Sequence, residues 1–141
     1  MPAAGEGDEW MKLTGLNHIT INVKNLEESK AFYEEVFGLE QCGFTDMGDH
    51  TLTYYQLPQG VLLELIDYEN KEEAAAHRET DTGIYRHLCL EADSLEELDQ
   101  RCREKGVTVR SAPAYVEKLG RHNMLLVDPS GVEIEVFLAE K

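Results

Sequence analysis

The sequence predicts an α+β fold of two tandem βαβββ modules. Three observations lead there. The chain carries its own copy: Leu16–Glu28 returns as Tyr85–Glu97, 69 residues on, with His18 over His87, Ile19 over Leu88, Ile21 over Leu90 and Glu27–Glu28 over Glu96–Glu97. GVLLELI (60–66) likewise returns as GVEIEVF (131–137), 71 residues on. Within each copy, apolar residues alternate at period two before and after a stretch with helical spacing. A helix-capping signal follows the first alternating stretch of each copy. Two copies at so long a period do not make a solenoid; they read as two fused modules.

The first module spans 13–68. LNHITINV (16–23) alternates as a strand, with Ile19, Ile21 and Val23 on one face and His18, Thr20 and Asn22 on the other. Asn25 caps the helix that follows, and Glu28 stands three residues on, as a capping box requires. Leu26, Phe32, Tyr33, Val36 and Phe37 give it an apolar face, and Gly38 ends it. Strands are expected near 39–45, 50–57 and 60–67, with Pro58–Gly60 as the turn between the last two.

The second module spans 85–141. Tyr85–Ala92 is the expected first strand, Ser94 the cap with Glu97 completing the box, and Leu95 and Leu98 the inward side chains. Gly106 ends the helix. Strands are expected near 107–110, 121–128 and 131–138, with Asp128–Gly131 as the last turn. Residues 69–84 form a linker, and the Glu- and Ala-rich piece Asn70–Arg78 is expected to make a short surface helix. Residues 1–12, with Trp10, read as a disordered tail.

A chain of 141 residues is one ordinary domain, and a chain of about this size can bury roughly 68–70% of its unfolded surface. Thirteen basic against 28 acidic residues give a net charge of −15. That balance excludes nucleic acid and anionic membrane surfaces, which need clustered Lys and Arg. A small anionic substrate is not excluded, because it answers to a local field. No apolar run reaches a membrane span, and the acidic start carries no signal peptide. Three cysteines (Cys42, Cys89 and Cys102), an odd number without C-x-x-C spacing, point to a reducing, cytoplasmic setting.

Each module places one histidine early in its first strand and one glutamate in its last: His18 with Glu64, and His87 with Glu135. Both glutamates interrupt strongly apolar strands, where a carboxylate is costly unless paired or bound. Singly, such residues are usually structural or solvated. Repeated at matching positions, two imidazoles and two carboxylates suit one divalent first-row metal: Ni, Zn, Co, Fe or Mn. Four protein ligands leave room for water and substrate.

These residues resemble the vicinal oxygen chelate superfamily, which includes glyoxalase I, methylmalonyl-CoA epimerase, extradiol dioxygenases and the bleomycin and fosfomycin resistance proteins. The matching pieces are LNHITINVKNLEESKAFYEEVFGL, YRHLCLEA and DPSGVEIEV, spread over 16–138. The resemblance implies curled mixed sheets, a metal in the funnel they form, a small-molecule substrate and a homodimer. Residue by residue, His18, Glu64, His87 and Glu135 fall on the metal-ligand positions, and a His–Glu–His–Glu set is the glyoxalase I pattern. The implied activity is that of a lyase or isomerase moving a proton between adjacent carbons through a metal-bound enediolate. Glu135 would be the general base and acid, with Glu64 sharing that role.

The sequence also departs from the pattern. Residues 41–52, QCGFTDMGDHTL, hold none of the basic side chains by which glutathione-dependent members grip the tripeptide. The last turn reads DPSGV where DPxGN is commoner. The alternatives are an epimerase, which usually has Gln at the position of Glu64, a dioxygenase, or a drug-binding resistance protein without catalysis. Arg86, Arg121 and His122 are the candidates for binding an anionic substrate, against a plainer reading as solvated strand ends. Cys89 shares the strand face of His87. Cys42 and Cys102 read as structural, and His50 and His77 as surface. One of Tyr54 and Tyr55 must face the funnel and the other the helix.

Overall fold

A computed structural model describes residues 11–73, 76 and 78–140. The tail with Trp10, and His77 in the linker, lie outside the described residues. The order is β1 (His18–Asn22), α1 (Leu26–Glu35), β2 (Gln41–Asp46), β3 (His50–Gln56) and β4 (Leu62–Tyr68), then β5 (Leu88–Ala92), α2 (Leu95–Glu104), β6 (Thr108–Val116), β7 (Arg121–Val127) and β8 (Glu133–Leu138). This is βαβββ twice. The sheets have the same topology, β1-β4-β3-β2 and β5-β8-β7-β6. In each, the first strand runs parallel to the last and the remaining pairs are antiparallel.

The helices begin where their caps direct. Asn25 Oδ1 accepts from the Glu28 amide at 3.0 Å, and Ser94 Oγ from the Glu97 amide at 3.2 Å. Each bond satisfies an amide that the first helical turn leaves free. Phe32, Tyr33 and Val36 of the first helical segment, and Leu95, Leu98 and Cys102 of the second, are buried. They join Ile21, Leu63 and Leu65 of one sheet and Met124, Leu126, Ile134 and Val136 of the other in a single core.

The modules are clasped by polar contacts at their helices and the β7–β8 turn. Asp128 Oδ1 accepts from the Ser130 and Val132 amides, both at 2.8 Å, which shapes the turn, and Gly131 takes a φ of +88° there. Its Oδ2 accepts from the Tyr33 hydroxyl of α1 at 2.7 Å. Arg101 of α2 donates to the Val36 carbonyl at 3.3 Å, and Lys105 pairs with Glu35 at 2.9 Å.

Four expectations need correction. The first strand of the second module begins at Leu88, not Tyr85, so Arg86 and His87 precede it. The β6 strand continues to Val116, well past the expected 110. It does so through register shifts between Val109 and Ser111 and between Ser111 and Ala114. Pro113, which lacks an amide donor, is tolerated because β6 is an edge strand and irregular there. Among the described residues of 70–78 there is no helix. Cys42 is exposed, whereas Cys102 is buried.

Candidate metal centre

The alternation that sends Ile21, Leu63 and Leu65 into the core sends the side chains between them to the opposite face. On that face Glu64 lies in register with Thr20 of β1 and Tyr54 of β3. Only 8% of Glu64 is exposed, so its carboxylate needs partners. Thr20 Oγ1 donates to Oε1 at 2.9 Å, and the Tyr54 hydroxyl donates to Oε2. This bond raises the Tyr54 phenol above its ordinary pKa, with burial adding to the effect. His18 opens β1 with Nε2 at 3.9 Å from Glu64 Oε1. Its other nitrogen, Nδ1, lies 2.7 Å from Asn17 Oδ1. Tyr55 turns the other way, fully buried, and donates to Glu34 of α1 at 2.5 Å.

The second sheet repeats the pair with different surroundings. Glu135 is in register with Cys89 of β5 and Leu125 of β7. His87 Nε2 is 3.1 Å from Glu135 Oε1, and Asn123 Nδ2 donates to Oε2 at 2.9 Å. Burial, then the nearby Glu135 carboxylate, pushes the Cys89 thiol up to about 11. Glu133, two residues before Glu135, is buried beside Arg110 Nη1 at 2.6 Å.

One of the pairs has the spacing of two ligands on one ion. Ligand atoms about 2.1 Å from a common metal lie roughly 3–3.5 Å from each other. The His87–Glu135 pair already meets that, and the His18–Glu64 pair needs a small closure. The four do not converge within the chain. Among the described residues, no group of three or more His, Cys, Asp or Glu side chains is placed to hold a metal. The pairs sit on separate sheets, and the chain joins those sheets through their helices and the β7–β8 turn. One chain therefore presents two candidate half-sites.

Each candidate half-site lies on the sheet face turned away from the core. A cleft of about 630 Å³ lies between α1 and the β6–β7 region, lined in part by Glu35, Lys105 and Asp128. Another, of about 830 Å³, lies against Lys24, Tyr68 and Ser130. Neither reaches the four candidate ligands.

The other candidates separate. Arg86 Nη2 is 4.0 Å from Glu133 Oε1, beside the second half-site. Arg121 shares the face of Asn123 and Glu135, with its guanidinium 4.5 Å over the Phe137 ring. It is bonded to Glu91 at 2.8 Å and to the Leu138 carbonyl at 3.1 Å, so its charge is largely engaged. His122 falls on the opposite strand face, edge-on to Tyr115 at 5.0 Å between ring centroids. Sequence reasoning set Thr20 on the face of His18 without assigning it to the site, and passed over Asn17, Asn123, Arg110 and Glu133. Period-two alternation from Glu135 could have signalled Glu133, and alternation from Arg121 could have signalled Asn123; Asn17 and Arg110 carry no such signal.

The Glyoxalase/Bleomycin resistance protein/Dioxygenase superfamily matches residues 15–136. The chain belongs to this superfamily. It is 27% identical to bovine mitochondrial methylmalonyl-CoA epimerase, over 94% of this chain and 78% of that protein. It is also 27% identical to the glutathione transferase FosA of Serratia marcescens, over 88% of this chain and 80% of that protein. The solved trypanothione-dependent glyoxalase I of Leishmania major superposes with a TM-score of 0.69 at 25% identity, covering 89% of this chain and 87% of that one. Among the described residues, no helix is long and apolar enough to cross a membrane.

Proposed function

We propose that the chain is a divalent-metal-dependent lyase or isomerase of the glyoxalase type, which moves a proton between neighbouring carbons of a small substrate. One observation carries the reading: each module sets a histidine nitrogen beside a glutamate carboxylate at equivalent repeat positions. His18, Glu64, His87 and Glu135 would hold one Ni, Zn, Co, Fe or Mn ion per site. When bound, the ion would supply Lewis-acid stabilisation of negative charge on two adjacent substrate oxygens. Glu135 is the proton carrier of this reading. Asn123 donates to one of its oxygens and His87 Nε2 lies 3.1 Å from the other, whereas hydroxyls hold both oxygens of Glu64. Glu64 shares that role.

Two half-sites on one chain imply a homodimer in which module 1 of each copy faces module 2 of the other. An epimerase reaction, returning the proton to the carbon it left, is the second reading. It is favoured by the likeness to the bovine epimerase across most of the chain. Both reactions abstract a proton next to a carbonyl.

The test strips the protein with chelator and titrates the five metals by calorimetry, alongside His18→Ala and Glu135→Ala. Binding of one ion per pair of half-sites, weakened in both variants, supports the reading. No binding of any of the five removes it. The loaded protein is then given methylglyoxal with several thiols, and separately methylmalonyl-CoA in deuterium oxide. Turnover of a thiol adduct identifies the lyase, and deuterium at the α-carbon identifies the epimerase.

A further inference from the structure

The cations of this acidic chain are unevenly placed. No strand of the first sheet contains Lys or Arg, whereas the strands of the second contain Arg110 and Arg121. Arg121 is engaged by Glu91, Glu140 and the Leu138 carbonyl. Arg110 falls in the register shift of β6 between Val109 and Ser111, and such a bulge re-aims a side chain. It reaches Glu133, which shares the strand face of Glu135, and donates from Nη1 to Oε2 at 2.6 Å. A second guanidinium, that of Arg86, approaches the other oxygen, Oε1, at 4.0 Å, beyond hydrogen-bond range. His87 Nδ1 lies 3.5 Å from the same oxygen, which sets the cluster one imidazole ring from Glu135. Glu133 is 8% exposed, but the Arg86 and Arg110 side chains are 43% and 53% exposed. One guanidinium balances the charge of a buried carboxylate. Here two converge on it, which leaves a positive charge and free N–H donors for a ligand. In the first module Asn17 and Leu62 stand at the positions of Arg86 and Glu133.

We infer that Arg86 and Arg110 form a carboxylate-binding subsite at the edge of the second candidate half-site, with Glu133 holding Arg110 in place. The substrate class follows. It is a small acid, with a carboxylate in addition to the two adjacent oxygens that the proposed ion would take. A guanidinium presents planar donors that match a carboxylate, and both arginines keep such donors exposed. Arg110 is already fixed by its bond to Glu133, so less freedom is lost on binding. In a chain of net charge −15, an anion needs a local positive field of this kind. The first sheet offers none, so the acid end of the substrate lies against the second module. The inference rests on the proposed metal reading for the other end of the substrate, but not for the subsite.

Two measurements separate the subsite from the metal. In the apoprotein, nitrogen-15 NMR of the arginine side chains is followed as succinate is added, with uncharged succinamide as control. Succinate should shift the Arg86 and Arg110 Nε–H signals and leave that of Arg121 in place; succinamide should shift none. In the zinc-loaded protein, calorimetry compares racemic malate with racemic lactate. Both offer a hydroxyl beside a carboxylate, and malate adds a second carboxylate. Malate should bind about ten-fold more tightly than lactate. Arg86→Gln should bring the two affinities together by weakening malate alone, and Arg86→Lys should keep part of the difference. Arg110→Gln combined with Glu133→Leu, which removes the buried pair together, should act as Arg86→Gln does. Arginines that only neutralise Glu133 would affect stability and leave the malate-to-lactate ratio intact in Arg86→Gln. That result overturns the inference, as does equal binding of the two acids by the wild type. If zinc fails to bind while succinate moves both arginine signals, the metal reading falls and the subsite stands.

Discussion

The Tyr33 hydroxyl on α1 donates to Asp128 Oδ2 at 2.7 Å, which joins the helix of one module to the last turn of the other. The same carboxylate holds two amides of its own turn. Burial, then the adjacent Asp128 charge, drives the Tyr33 phenol far above the ordinary tyrosine range. Tyr33→Phe keeps the packed ring and removes one donor from a buried carboxylate. It should cost about 1–3 kcal/mol of unfolding free energy, read from urea midpoints. Asp128→Ala frees the turn amides as well and should cost more. A silent Tyr33→Phe would mean that the junction rests on apolar packing alone.

Alkaline pH should loosen the fold, through named groups. Burial, then the neighbouring Asp99, pushes the Cys102 thiol up to about 11. Burial, then its bond to Glu34, holds Tyr55 above the ordinary tyrosine range. In both cases the folded state keeps its proton to higher pH than the unfolded chain. Their contribution is complete below the unfolded values, about 8.5 for a thiol and 10 for a phenol. It is lost as pH rises through the folded ones. Denaturant midpoints measured from pH 8 to 11 should fall. The fall should be shallower in Cys102→Ala, whatever that variant loses at pH 8. An equal slope in the two proteins would remove Cys102 from the account.

Glu64 depends on two hydroxyls. Tyr54→Phe and Thr20→Val each strip one donor from a carboxylate with little access to water. Each should lower unfolding free energy by about 1–3 kcal/mol in the apoprotein. Each should also weaken divalent-metal binding about ten-fold or more, seen in the same calorimetric titration as the wild type. Stability loss with unchanged metal affinity would make the hydroxyls partners of a structural carboxylate only.

The repeat, the alternation and the two caps were legible because each is local. Asn25 and Ser94 cap helices whatever surrounds them. Ile21, Leu63 and Ile134 declare the buried face by period alone. The irregular run of β6 was not legible, because Ser111–Ala114 has no alternation and Pro113 argues against a strand. It belongs to the sheet through pairing with β7, which is a property of two segments. The pairing of each histidine with its glutamate could be read from the repeat. The placement of the two pairs on separate sheet faces could not, since it follows from how Tyr33, Asp128, Arg101 and Glu35 dock the modules. His122 is the instructive case: alternation from Asn123 already puts it on the wrong face for the site.

A dimer that completes the half-sites makes a prediction that no single-chain site shares. His18→Ala spoils the first half-site of its chain, and His87→Ala spoils the second. Each homodimer then lacks one histidine at every site and should bind zinc weakly. When the two variants are mixed and allowed to exchange subunits, a mixed dimer pairs the intact first module of one copy with the intact second module of the other. One of its two sites regains all four ligands, and the other lacks both histidines. Calorimetry on the exchanged mixture should therefore recover tight zinc binding. Random exchange makes about half the dimers mixed, so the recovered stoichiometry should be about a quarter of the wild-type value. A site built within one chain gives no recovery at any mixing ratio, because every chain carries one spoiled ligand. Sedimentation of the wild type supplies the companion check: a monomer that binds zinc tightly would require the modules to reorganise and bring the two faces together.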